Sequence, residues 1–316
     1  MENVKVSMGG YRLEGEIKGD EIPIGFVNGL RRILLSEIPT VVLSDIQILE
    51  NTTHMTHEML RHRVEMIPVN VRPEEAAVVR DTKVELRFAA SAEERDIMAT
   101  DFAVTGPRGN VLLADRDLDE PIYFMTLKPN AAIHIKASLA VEPRGVSQVC
   151  VSAFKNHIDV EQAKTDKKLW IDNGGDPRIF DNFMIQRSYS RNEKTQRPNW
   201  FDLTVESIGV VPAKDLLKKA ADVFKNKVLE WVKTPVMREE GGWYRMETEG
   251  ETFTLGQLVQ ELMYQNPQVN FVSRDVGHPL IPKLVLRFNT QLPPDQVIAE
   301  VRDKAVALCE SILGSV

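Results

Sequence analysis

The chain has 316 residues, 39 Lys and Arg against 46 Asp and Glu for a net charge of −7, and 43% hydrophobic residues. That length suggests two or three domains, its apolar content excludes a disordered chain, and its mild acidity argues against binding nucleic acid by bulk charge. Two cysteines, Cys150 and Cys309, supply neither a disulfide framework nor a four-thiolate zinc site, and no apolar run reaches the roughly 20 residues of a membrane span.

The cysteine usage points to a reducing compartment, and the N-terminal segment is charged and alternating, unlike a signal peptide. The spacing of Phe26, Leu30, Ile33 and Leu34 predicts a helix over 21–37, with Pro23 in its first turn and Pro39 ending it. Asn28, Arg31, Arg32 and Leu35 fall on the opposite face, so a basic pair is expected to project away from the core. TVVLSDIQILEN (40–51) reads as a strand, and a short helix is expected from Met55 to about Arg63. From Val69 to Phe154 short strands alternate with turns: KVELRF (83–88), a hairpin around Gly106–Asn110, and an alternating strand over 133–139.

Residues 155–199 show little periodicity and read as a long connection with short strands and a basic run, Arg187, Arg191, Lys194 and Arg197. An alternating strand at 201–209 precedes a helix from Pro212 to about Val232 that carries Leu216, Ala220, Phe224, Val228 and Trp231 on one face. Beyond a charged linker come a strand at 243–247 and a helix whose Thr254 and Gln257 fit a capping box and whose apolar face holds Leu255, Leu258 and Leu262. Two strands and a last helix follow, the helix with Ile298, Val301, Ala305, Leu308 and Ile312 on its seam. The order of strand, helix, strands and closing helix thus occurs twice, which suggests two related units paired through their helices.

Catalytic motifs are weak. His57 and His62 are five apart, which turns the second imidazole about 140° from the first and defeats the zinc-protease pattern. A metal-dependent hydrolase using His54, His57 and Glu58 is a further alternative reading. Gly106–Gly109 lacks the lysine of a phosphate loop, and neither cysteine has a neighbouring histidine to activate it.

The segment Phe26-Val27-Asn28-Gly29-Leu30-Arg31-Arg32-Ile33-Leu34-Leu35-Ser36-Glu37-Ile38-Pro39 resembles the signature helix of the α-like subunits of multisubunit RNA polymerases: bacterial α, its larger archaeal counterpart and the third-largest subunit of eukaryotic polymerase II. His57 to Val69, Leu127 to Ala137 and Val205 to Gly209 are similar to further blocks of that family. Thr254-Leu255-Gly256-Gln257-Leu258, Asn266-Pro267, His278-Pro279-Leu280 and Lys283 to Thr290 resemble the smaller α-like partner of archaeal and eukaryotic polymerases. The chain therefore resembles the two subunits fused, an arrangement like that of large DNA viruses.

The resemblance implies an α+β protein in which the α-like dimerisation fold occurs twice as an intramolecular pseudo-heterodimer. It divides the chain into a dimerisation domain (1–50 and 153–235), a β-rich insertion domain without a metal site (51–152) and a smaller α-like unit (236–316). It also implies a non-catalytic assembly platform for DNA-directed RNA polymerase. The partners are the second-largest and largest subunits and small zinc-binding subunits, with DNA reached only through the complex and no membrane. The polymerase-facing surface is expected at Asn28, Arg31, Arg32, Glu37, Glu58, His62 and Arg63. Internal pairing is expected at Phe26, Leu30, Ile33, Leu34, Phe224, Val228, Trp231, Leu255, Leu258, Leu262, Val301 and Leu308. Thr254, Gly256, His278 and Pro279 are expected to be structural. Relatives with a four-cysteine metal site in the middle domain differ here, since only Cys150 is present, so no metal and no cofactor are expected. The location expected is a host nucleus, a virus factory or a virion. A free-standing interaction scaffold of the same fold is the alternative reading.

Overall fold

The computed structural model describes residues 1–142, 150–278 and 280–315. Strands β1 (Glu2–Ser7) and β2 (Arg12–Lys18) lead into helix α1 (Ile24–Ser36). Strand β3 (Thr40–Asn51) precedes helices α2 (His57–Glu65) and α3 (Ala76–Asp81), and then strands β4 (Lys83–Phe88), β5 (Arg95–Met98) and β6 (Ala103–Thr105). Strands β7 (Tyr123–Leu127), β8 (Ile133–Glu142) and β9 (Cys150–Asn156) follow, then helices α4 (Val160–Asp172) and α5 (Pro177–Asn182). Strand β10 (Trp200–Ser207) feeds helix α6 (Ala213–Trp231). The last stretch holds β11 (Val236–Arg238), β12 (Trp243–Glu249), helix α7 (Phe253–Tyr264), β13 (Val269–Asp275), β14 (Lys283–Thr290) and helix α8 (Pro294–Ser315).

Packing divides the chain into two compact units. One comprises Met1–Ile33, Ser152–Val205 and Leu217–Val316, and the other Leu34–Val151 and Glu206–Leu216. The first is built on two four-stranded sheets of order β1-β2-β10-β9 and β11-β12-β14-β13. In β10, Phe201, Leu203 and Val205 point inward while Trp200, Asp202 and Thr204 stay half-buried; β14 does the same with Leu284, Leu286 and Phe288. This period-two alternation is what a sheet with one covered face requires. Helices α1, α6, α7 and α8 bring their apolar stripes to this unit. The Phe26 and Phe224 rings stack at 5.8 Å with planes 7° apart. A side chain at Gly29 would put its Cβ 2.5 Å from the Phe224 ring, so only glycine admits that ring.

The second unit is organised on the sheet β3-β8-β4-β6, with the pair β5-β7 beside it. Its core includes Leu43, Leu60, Val64, Leu86, Ile97, Phe124, Ile133 and Ile135. Strand β3 pairs with β8 from Thr40↔Glu142 to Asn51↔Ile133. Residues 40–50, expected to belong to the dimerisation segment, therefore pack with the middle segment.

Three local expectations are corrected. The hairpin at Gly106–Asn110 does not form, because β6 pairs with β4 while Val111 and Leu113 bond to Asn70 and Pro68. Once β9 has ended, the 155–199 stretch contains two α-helices, a short 3-10 turn at Met184–Arg187 and no strand longer than a bridge. Helix α4 buries only Ala163, so it lacks the apolar periodicity that announces a helix; the Asp159 carboxylate caps it through the amides of Glu161 and Gln162. In α8 the buried stripe runs through Val301, Ala305, Cys309 and Ile312, and Leu308 is only half-buried. Steps of four, four and three follow the 3.6-residue period better than the expected choice of Leu308.

Candidate functional site

Within the first unit, α1 and α7 run antiparallel to each other. The Gln265 side chain donates to the Glu21 carbonyl (2.9 Å), the Gly25 amide donates to Glu261 Oε2 (2.8 Å), and Arg32 Nε donates to Thr254 Oγ1 (2.8 Å). Position rises along α1 as it falls along α7. Gly25 lies in the first turn of α1, where an amide has no partner inside its own helix, so Glu261 acts as a cap supplied by another helix. Lys227 of α6 bonds Glu251, just before α7, at 2.7 and 2.9 Å. Their side chains are only 14% and 16% exposed. Lys225 reaches Glu310 of α8 at 2.7 Å, a contact that raises the pKa of the lysine.

Of the residues expected to pair, Phe26, Leu30, Ile33, Leu34, Phe224, Val228, Trp231, Leu255, Leu258, Leu262 and Val301 are all buried. Gly256 is buried as well, and a Cβ there would stand 2.6 Å from Leu284 Cδ1, so its lack of a side chain lets α7 settle on β14.

One expectation fails here. Thr254 does not cap α7, which begins a residue earlier behind Thr252; its buried hydroxyl instead accepts from Arg32, and Gln257 donates to Glu261. Arg32 is itself exposed while its Nε reaches the Thr254 hydroxyl. On the outer face, Arg31 donates through Nε and Nη2 to Asn28 Oδ1 at 3.1 and 3.0 Å, and both residues are half-buried. Glu37 is half-buried after the end of α1.

Glu58, His62 and Arg63 sit on α2 in the second unit. Hydrogen bonds from its own amide and from the Thr56 hydroxyl hold Glu58 below the usual carboxylate range. His62 is exposed in the last turn, and the Arg63 guanidinium lies 5.9 Å from the centre of the Tyr123 ring. His278 is exposed, and its Nδ1 accepts from the Leu280 amide; Pro279 lies outside the described residues. His54, His57 and Glu58 do not converge: among the described residues the grouping close enough to share an ion is Glu16, His157 and Asp202. Cys150 and Cys309 are free, buried thiols, each pushed up to about 12 by burial.

The two sheets decide the relationship. Numbered within its own half, each has the order first, second, fourth, third, and once the insertions after α1 and after β9 are set aside each half runs strand, strand, helix, strand, strand, helix. Family comparison assigns both halves to the same description, the RNA polymerase Rpb3/Rpb11 dimerisation domain, over residues 19–228 and 244–315. The chain belongs to the Rpb3/Rpb11 dimerisation-domain family. It is an α+β protein in which that domain is present twice. Among relatives, it is 25% identical over 209 residues to DNA-directed RNA polymerase subunit Rpo3 of Natronomonas pharaonis, covering 62% of this chain and 83% of that one. It is 23% identical over 279 residues to DNA-directed RNA polymerases I and III subunit rpac1 of Dictyostelium discoideum, covering 72% and 80%. A shorter match, 45% identical over 51 residues, is to subunit Rpo3 of Methanocaldococcus jannaschii, covering 16% and 27%.

Sequence periodicity finds the apolar side of the pairing but misses Glu261, Lys227 and Glu251. Each is a charged residue on a helix or loop, and only its partner distinguishes it from a solvated one.

Proposed function

We propose that this chain is a non-catalytic assembly subunit of a DNA-directed RNA polymerase, in which the two dimerisation domains pair with each other and present a platform to the large catalytic subunits. The observation that carries the reading is the antiparallel α1/α7 contact, which joins two domains of one family inside a single polypeptide. In this reading the pairing surface is satisfied internally, so the chain stands in for two subunits and works inside the cell. The Asn28–Arg31 pair, with Arg32 and Glu37, faces a large subunit. Glu58, His62 and Arg63 form a further contact from the second unit, and small zinc-binding subunits attach to the assembled platform. An arginine already held flat by a side-chain amide suits bidentate recognition of a partner carboxylate.

Native purification of the tagged chain from cells that make it should recover two very large polypeptides in equal amounts with it. Arg31→Glu should fold normally by circular dichroism and lose both. Unchanged recovery with Arg31→Glu would remove Arg31 from the platform surface, and recovery of the chain without large polypeptides would favour a free-standing scaffold. Arg32 is unsuited to this test, because its bond to Thr254 makes any substitution also a change in pairing.

A further inference from the structure

The outer face of the β1-β2-β10-β9 sheet carries a polar constellation that the pairing and platform readings do not use. Glu16 on β2, Asp202 on β10 and His157, immediately after β9, come from three segments distant in sequence, yet one potential ligand atom from each lies within 4.8 Å of the other two. The ring of His157 is fixed on several sides. Its Nδ1 is 2.7 Å from Asp202 Oδ1, and its face stacks on Trp200 at 3.8 Å with planes 12° apart. Its backbone amide donates to the Trp200 carbonyl (2.9 Å), and its carbonyl accepts from the Ser190 amide (3.0 Å). Glu16 is positioned in the same way, accepting from Trp200 Nε1 at 3.1 Å and from the Asn3 side chain at 3.0 Å. Trp200, Asn3 and the Ser190 amide are outer partners of the kind that orient carboxylates and imidazoles for an ion, whereas the contact of His157 Nδ1 with Asp202 joins two of the candidate ligands directly.

We propose that Glu16, His157 and Asp202 bind one divalent ion of the zinc class. Three donors, one imidazole nitrogen and two carboxylate oxygens, suit a borderline transition metal better than magnesium or calcium, which prefer oxygen alone. They leave a fourth tetrahedral position open to water or to a ligand from a partner. Two carboxylates this close repel each other, and a cation between them removes that cost. Two lysines already stand near: Lys18 Nζ lies 3.8 Å above the Trp200 ring, and Lys155 Nζ is 3.8 Å from the other Asp202 oxygen. Lys18 is engaged by the ring face, and Lys155, 61% exposed, can swing into solvent when an ion takes its place. The ion would tie β2, β9 and β10 together where the chain leaves the sheet for α4 and α5. It requires no cysteine, so the cysteine count that led to the expectation of no metal does not bear on it.

The test is equilibrium dialysis of the full-length, tag-free protein against Zn²⁺, with bound metal measured by mass spectrometry. One tightly held ion per chain is expected. His157→Gln and Asp202→Asn should each weaken it by about tenfold or more, and the control His54→Gln with His57→Gln should retain it. Trp200 fluorescence should change on zinc addition in the control and not in His157→Gln. Absence of stoichiometric zinc, or zinc retained equally by His157→Gln and Asp202→Asn proteins of normal circular dichroism, would overturn the proposal.

Discussion

The two halves of the first unit solve the same problem with different amounts of chain. The smaller closes strand, strand, helix, strand, strand, helix within residues 236–315, whereas the larger starts at Glu2 and does not finish its closing helix until Trp231. Between α1 and β9 it sends out an excursion that carries β3 to β8, and between β9 and β10 a second one that includes α4 and α5. What both keep is a sheet of one order with a helix stripe packed on it. The difference teaches that this architecture is fixed by a few inward positions, and that insertions are tolerated where the chain leaves the sheet, since the entropy of a longer loop grows only slowly with its length. The larger half is also the one that gathers unusual polar chemistry at a departure point.

If the halves form one cooperative unit, damage in either should be felt by both. Phe224→Asp in the larger half and Leu258→Asp in the smaller each place a charge in a fully buried position, and each should abolish soluble protein. Soluble protein that keeps half its helical circular dichroism after Leu258→Asp would mean that the larger half folds alone. A smaller perturbation compares the two glycines. Gly29→Ala drives a methyl into the Phe224 ring and should cost about 1–3 kcal/mol in denaturant unfolding. Gly256→Ala meets the far end of Leu284, with Arg274 Cδ at ordinary contact distance, and should cost less. Smaller again is the polar seam: Glu261→Ala removes the cap from Gly25 and should cost about 1 kcal/mol, with Glu261→Gln recovering part of it. A fourth outcome leaves stability alone. With both thiols pushed up to about 12, alkylation at pH 8 should modify neither Cys150 nor Cys309 until denaturant is added, as mass spectrometry would show.

Much of this was legible in the residues. The stripes Phe26-Leu30-Ile33 and Phe224-Val228-Trp231 announce their helices because burial of one face imposes the period, and the alternation in 201–207 and 283–290 announces strands for the same reason. Where burial does not set the pattern, the sequence is silent or misleading. Helix α4 is held by an Asp159 cap and exposed ion pairs, and Thr254 satisfies the local rule for a cap while its hydroxyl serves a partner 222 residues away. Glu16, His157 and Asp202 show no spacing at all in sequence, since strand order alone unites them. The family blocks locate the signature helix correctly but cannot say that its two adjacent arginines have different duties, Arg31 beside Asn28 and Arg32 on Thr254.

Pairing of the two dimerisation domains within one chain is the central claim. Sedimentation velocity of the purified full-length protein over a wide concentration range tests it directly. A single species near the 35.7 kDa chain mass at every concentration is predicted, because the α1/α7 surface is already occupied. A dimer that grows with concentration and is abolished by Glu261→Ala would show instead that the domains pair between chains, and would contradict it.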